Sequence, residues 1–151
     1  MKPVRVRPND PRVLPLVSMH LDLMRASSPA CSVHAMDADG LERSNVLFVA
    51  VFDSDEAVAI GALKALDGTH GELKSMHVRQ DRRGQGLADL ILDRLLDEAR
   101  TAGMERVSLE TGSQETFGAA RAFYGRNGFT TCSPFAGYTA DPNSFFMTRA
   151  L

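Results

Sequence analysis

Between Glu72 and Leu92 the chain runs through a strand, an arginine-rich loop with two closely spaced glycines, and an amphipathic helix, and no other stretch constrains the fold as much. Glu72 to Val78 reads as the strand. Arg79, Arg82 and Arg83 then supply positive charge, while Gly84 and Gly86 allow a tight turn and a close backbone approach that a side chain would block. The helix beyond them starts with unpaired N–H groups and the positive end of its dipole. Together these make a seat for a phosphate or pyrophosphate, so an anionic cofactor is expected at this point.

The rest of the chain arranges itself around that unit. Val4 and Val6, alternating with Arg5 and Arg7, suggest a short opening strand. From Asp10 to Ala26 the spacing of Leu14, Val17, Leu21 and Met24 predicts a helix, with Pro15 either near its start or disturbing its first turn. SSPACSVHAMDADGLERSN reads as a long polar connection without a period, the kind that tends to be functional or mobile. VLFVAVFD and AVAIGALKAL form a hairpin about DSDE, and GTHG turns the chain into the Glu72 strand. After the glycines, Leu87, Leu90, Ile91 and Leu95 mark one helical face that closes at Gly103. MERVSLET is a further strand, so strand, helix and strand make a parallel crossover. A helix from about Glu115 to Asn127 and one or two closing strands around Phe145, Phe146 and Met147 complete the chain. The expectation is one α/β domain over residues 1–151, with a mixed central sheet of about six or seven strands flanked by helices.

Bulk properties exclude several classes. A net charge of -2 argues against a general nucleic-acid binder. No apolar run approaches the roughly 20 residues of a membrane span, and the charged, Pro-rich start lacks an apolar core, so no signal peptide is expected. Cys31 and Cys132 are far apart and belong to no metal-ligand spacing, so no metal is expected and a reduced, cytoplasmic setting is. Two familiar glycine loops fail. A P-loop would need Gly-Lys-Ser/Thr, and the dinucleotide fingerprint would need a small residue where Asp89 stands.

Arg83-Gly84-Gln85-Gly86-Leu87-Ala88, between strand and helix, does fit an Arg/Gln-x-x-Gly-x-Gly/Ala pattern. With Phe123-Tyr124 and Asn127-Gly128-Phe129 at the right place in the element order, the chain resembles the GNAT superfamily of acyl-CoA-dependent N-acetyltransferases over nearly its whole length. The segments LETGS, FYGRNGF and DPNSFFM are similar to those of a small bacterial subgroup within it.

The resemblance implies acetyl-CoA as cosubstrate. Backbone N–H groups of residues 83–88 would hold its pyrophosphate, and the backbone of Met76 and Val78 its pantetheine arm, beside a strand splayed from its neighbour. Tyr124 falls at the family's general-acid position, where a phenol can protonate a departing thiolate. Glu72 falls where the family often places a carboxylate that accepts an amine proton, with Glu110 as substitute. Strict alternation puts Glu72, Lys74, Met76 and Val78 on one face of the strand and turns His77 away. Arg25, His34 and Asp37 lie in the segment from which the family builds its acceptor pocket. The acceptor is expected to be a small-molecule amine, amino-acid-like, attacked directly because no cysteine is placed as a nucleophile. Neither nucleic acid nor membrane is expected as a partner, and a homodimer is left open. A non-catalytic acyl-CoA sensor and an adenine-nucleotide-binding regulator are the competing readings.

Overall fold

The computed structural model describes all 151 residues and contains one seven-stranded mixed sheet, in the order β1-β2-β3-β4-β5-β7-β6. The strands are β1 (Val4–Val6), β2 (Leu47–Asp53), β3 (Glu56–Ala65), β4 (His70–Val78), β5 (Arg106–Gly112), β6 (Thr130–Thr131) and β7 (Ser144–Ala150). The helices are α1 (Leu14–Ser27), α2 (Ala38–Arg43), α3 (Leu87–Thr101) and α4 (Gly118–Arg126). All neighbouring strands are antiparallel except β4 and β5, which run parallel and are joined through α3. No helix is long and apolar enough to cross a membrane.

Each face of the sheet carries its own core. Leu87, Ile91, Leu92, Leu95, Leu96 and Ala99 of α3 bury against Val49, Leu63, Leu73, Val107 and Leu109, together with Tyr124 and Phe129. Leu90 lies at the exposed edge of α3, and Leu92, Leu96 and Ala99 widen the buried stripe. On the opposite face, Val13, Leu16 and Val17 at and after the start of α1, with Leu41 of α2, cover Phe48, Ala50, Ile60 and Ala62.

Local chemistry explains the element ends. Pro15 sits in the first turn of α1, where its missing N–H costs nothing. Asp67 accepts hydrogen bonds from the backbone N–H of Thr69 (2.7 Å) and His70 (2.9 Å), fixing the turn into β4. The long polar connection is not without structure. It holds α2, six residues with Asp37 as its N-cap, the carboxylate accepting from the Gly40 N–H at 2.7 Å. The segment expected to be helical from Glu115 begins as a single tight turn, Glu115–Phe117, and becomes α-helical at Gly118.

Strand β4 departs from regular alternation, and the site depends on it. Ala62 pairs with Lys74 and Ile60 with His77, so two residues of β4 lie opposite the one residue Gly61. Ser75 takes up the difference with φ 56°. That is a β-bulge, and it inverts which side chains face which helix. Before it Leu73 faces α3, and after it Met76 and Val78 do. Glu72, Lys74 and His77 are therefore the residues sharing the α1 face, and the expectation that Met76 and Val78 share a face with Glu72 is corrected.

Candidate active site

Pairing between β4 and β5 stops at Leu73 and Leu109, although β4 continues to Val78 and β5 to Gly112. The strands part there, and a cleft of about 590 Å³ opens between them, running to the start of α3. The edge of β4 from Lys74 to Val78 has no strand beside it on that side. Ser75, at the bulge, lines the cleft with a buried hydroxyl that has no hydrogen-bond partner in the protein.

At one end of the cleft lies the arginine–glycine loop. Gly84 and Gly86 adopt φ 78° and 77°, with nothing within 4 Å of where a Cβ would stand. The N–H groups of Gly84, Gln85, Gly86, Leu87, Ala88 and Asp89 find no acceptor in the protein, and the first bond beyond the loop runs from Leu90 N–H to Gly86 O. Six consecutive free donors at the positive end of a 15-residue helix make a cradle for an anion. The arginines divide. Arg79 is held by Asp81 (2.6 Å) and Glu56 (3.0 Å), and Arg82 by Asp53 (2.6 Å). Arg83 has no carboxylate partner and reaches only the Val78 carbonyl, at 3.3 Å. Its charge is thus free for a ligand. The Gln85 side chain accepts from Arg82 at 3.3 Å rather than lining the cleft.

Glu72 lies deeper, with its side chain only 4% exposed. Its Oε2 accepts from the Tyr138 hydroxyl and from Lys74 Nζ at 3.3 Å, and Lys74 also donates to the Tyr138 oxygen at 3.2 Å. Both bonds fall on Oε2, which leaves Oε1 with no donor from the protein. Lys74 is 8% exposed, so the pair is one that must be satisfied internally. Burial and the adjoining Glu72 carboxylate push Tyr138 ionisation far above the usual range, so it remains a donor. Glu110 also lines the cleft, and burial raises its carboxyl to about 7.

Tyr138 carried no sequence signal for this role. The chain turns between Phe135 and Tyr138, whose N–H donates to the Phe135 carbonyl at 3.0 Å, with Ala136 at φ 51°. Phe135, Phe146 and His34 then surround the Tyr138 ring, with centroids 5.2, 5.6 and 5.0 Å away. Ser32 pins the same loop from the other side, donating to Asp141 at 2.5 Å.

Tyr124, on α4, lines the cleft from the α3 side. Its ring stacks edge-on against Phe123 and Phe129, at 5.3 and 5.6 Å, while no protein group bonds its hydroxyl. Burial holds that hydroxyl protonated well beyond neutral pH. His77 faces His20 of α1, Nδ1 to Nδ1 at 3.3 Å, under the wall of the cleft. Of the three acceptor-side candidates, only His34 reaches the cleft. Arg25 is exposed at the end of α1, and Asp37 is occupied as a helix cap. Neither Cys31 nor Cys132 lines the cleft.

Residues 15–129 match the Acetyltransferase (GNAT) family. The chain belongs to that family. It is 43% identical over 140 residues to the uncharacterized N-acetyltransferase YsnE of Bacillus subtilis (strain 168), covering 93% of each chain. It is 38% identical over 126 residues to the IAA acetyltransferase of Azospirillum brasilense, covering 82% of this chain and 80% of that one. The crystal structure of an acetyltransferase from Streptococcus agalactiae 2603 superposes with a TM-score of 0.76 at 18% identity, over 99% of this chain and 98% of that one, which shows the shared fold. This GNAT protein is an acetyltransferase with the family's mixed sheet flanked by helices.

Proposed function

We propose that this protein moves an acetyl group from acetyl-CoA to the primary amine of a small, amino-acid-like molecule by direct attack in a ternary complex. The observation that carries the reading is the run of six free N–H groups from Gly84 to Asp89, joined to the unpaired edge of β4. The anion cradle and Glu72 stand at opposite ends of that edge. The regular partner strand covers the stretch from Glu72 to Val78 in five steps, Lys64 to Ala59, at about 3.3 Å each, a separation of roughly 17 Å. An ATP or NAD phosphate chain bound in the cradle would leave Glu72 far from any reacting group. A long ligand with phosphates at one end and its reactive group at the other uses both. The Arg83 guanidinium would pair with a phosphate oxygen while its N–H stays with the Gln80 carbonyl, residues 84–88 would hold the pyrophosphate through their backbone, and the exposed edge at Met76 and Val78 would take amide groups as an added strand does. The orphan Ser75 hydroxyl lies beside that edge.

Glu72 Oε1 is the free acceptor that removes one proton from the incoming ammonium. The resulting amine attacks the acetyl carbon, an N–C bond forms, and the C–S bond breaks. Tyr124 gives its proton to the departing thiolate and recovers the second proton of the nitrogen. The phenol bonds to no other protein group, and burial, which raises its ionisation, makes the donation uphill unless the nitrogen returns a proton to it in the same step. A sensor that only bound the acyl-CoA would need the cradle but neither of these two unpartnered groups.

The test is a two-substrate initial-rate study that follows release of the CoA thiol. Intersecting lines are expected, with Cys31→Ala and Cys132→Ala both active. Parallel lines with an isolable acetyl-cysteine would overturn direct transfer.

A further inference from the structure

The cleft does not end at Tyr138. Beyond that ring a second cavity of about 330 Å³ opens, and the two share His34, Glu72, Lys74 and Tyr138 as walls. Glu72 is the one carboxylate lining the second cavity, while Lys64 and Lys74 both line it. Lys64 stands directly opposite Glu72 in the β3–β4 register, and Lys74 follows Glu72 on the same face. Directly opposed residues of an antiparallel pair have Cβ atoms about 5 Å apart.

The charges do not cancel. Lys74 is committed to Glu72 and to the Tyr138 oxygen. Lys64 is half-buried and pairs with no carboxylate. One cation is therefore left over, on the same cavity wall as the proposed base and more than 4 Å from its carboxylate. Met36, Leu66 and Ala136 provide an apolar side to the same cavity.

We propose that the second cavity receives the acceptor, and that the acceptor is a small primary amine with a carboxylate beside its amino group, the Lys64 ammonium holding the carboxylate while Glu72 receives the amine. This assignment rests on the acetyl-transfer reading and narrows its substrate class. The amino group meets Glu72 at the junction of the two cavities, where the thioester end of the donor arrives from the other side. A polyamine or an aminoglycoside would instead bring more positive charge beside an unpaired lysine, at an electrostatic cost. Lys64 and Glu72 are opposed on neighbouring strands and line one small cavity, which suits an α-amino acid rather than an amine whose carboxylate lies many bonds away.

The experiment compares matched pairs that differ by the carboxylate alone: L-phenylalanine with 2-phenylethylamine, L-methionine with 3-(methylthio)propylamine, and L-lysine with cadaverine. CoA thiol release is followed with the wild type, Lys64→Ala and Lys64→Arg, and acetyl-CoA binding to each is measured by calorimetry. In the wild type at least one amino acid is expected to exceed its decarboxylated partner in kcat/KM by roughly 10- to 100-fold, as for a hydrogen bond to a charged group. Lys64→Ala should collapse that ratio towards unity through KM, and Lys64→Arg should restore most of it. Decarboxylated partners accepted equally well, no turnover on any carboxylate-bearing amine, or a ratio untouched by Lys64→Ala would each overturn the assignment. Acetyl-CoA that binds while only plain amines are acetylated sinks the acceptor class alone. Failure to bind acetyl-CoA sinks the underlying reading as well.

Discussion

Replacing Tyr124 by Phe separates a catalytic hydroxyl from an aromatic that merely fills the core. The ring is fixed by Phe123 and Phe129, and the residue is 7% exposed, so the substitution keeps the packing. The hydroxyl bonds to no protein group, so its removal breaks no hydrogen bond and leaves no partner unpaired. The stability change is expected to stay within about 1 kcal/mol of zero, a melting shift of about 2–4 °C at most for a domain of this size. Turnover should behave differently. If the phenol supplies the proton for the leaving thiolate, kcat should fall about 10²-fold or more, equivalent to at least about 2.7 kcal/mol of transition-state stabilisation. Acetyl-CoA affinity measured by calorimetry should be unchanged, because the lost interaction belongs to the transition state. Single-turnover measurements in a stopped-flow instrument keep slow product release from masking the chemical step. Wild-type single-turnover rates combined with a clear loss of melting temperature would refute the argument, and would make Tyr124 a packing residue with water as the donor.

Two further outcomes test other parts of the molecule. Gly86→Val should weaken acetyl-CoA binding at least tenfold, about 1.4 kcal/mol. Gly103→Val, at φ 81° and away from the cleft, should match its backbone strain but not its loss of affinity, and equal affinities in the two variants would remove the cradle. Burial and the neighbouring His77 charge lower His20 to about 3, and burial and Arg83 lower His77 to about 4. Both are neutral when folded yet protonated below pH 6.5 when unfolded, so their contribution is complete above pH 6.5 and is lost as the pH falls towards 4 and then 3. Denaturant titrations should lose up to about 1.4 kcal/mol per pH unit for each histidine in that window. A His20→Gln, His77→Gln double variant as acid-sensitive as the wild type would contradict this.

The sequence carried the strand–loop–helix unit, the parallel crossover, the cradle glycines and the place of Tyr124, because each has a local signal: a period, a pair of glycines, a helix stop. What it did not carry is non-local or short. Helix α2 buries only Leu41, too few apolar positions for a period, although Asp37 three residues before Gly40 was a readable cap. Tyr138 meets Glu72 across 66 residues of chain, through a turn at Ala136-Gly137 that nothing ties to the Glu72 strand. Arg25 and Asp37 share a segment with His34, and a segment does not say which way a side chain points. Among the three loop arginines, only the folded arrangement of Asp53, Glu56 and Asp81 reveals that Arg83 alone is uncommitted.

The bulge at Ser75 is the point where reading by alternation had to fail, and the failure is informative. A serine at φ 56° inside a strand is strained, by about 1–3 kcal/mol, and no glycine marks the position. The strain is matched by two gains that a regular strand cannot combine. Met76 turns into the α3 core, beside Gly61, where an added Cβ would lie 2.5 Å from Ile91 and 2.7 Å from the Met76 sulfur. His77, in consequence, joins Glu72 and Lys74 on the α1 face, and its imidazole closes the wall against His20. The same few residues also leave β5, so the backbone that the bulge distorts is the backbone the cleft exposes. Without the extra residue, Met76 would point into the α1 side and His77 into the apolar α3 core, where an imidazole has no partner. The bulge thus lets one strand serve a hydrophobic core, a polar wall and an open edge within six residues, with Glu72 before it and the anion cradle beyond it along one continuous cleft.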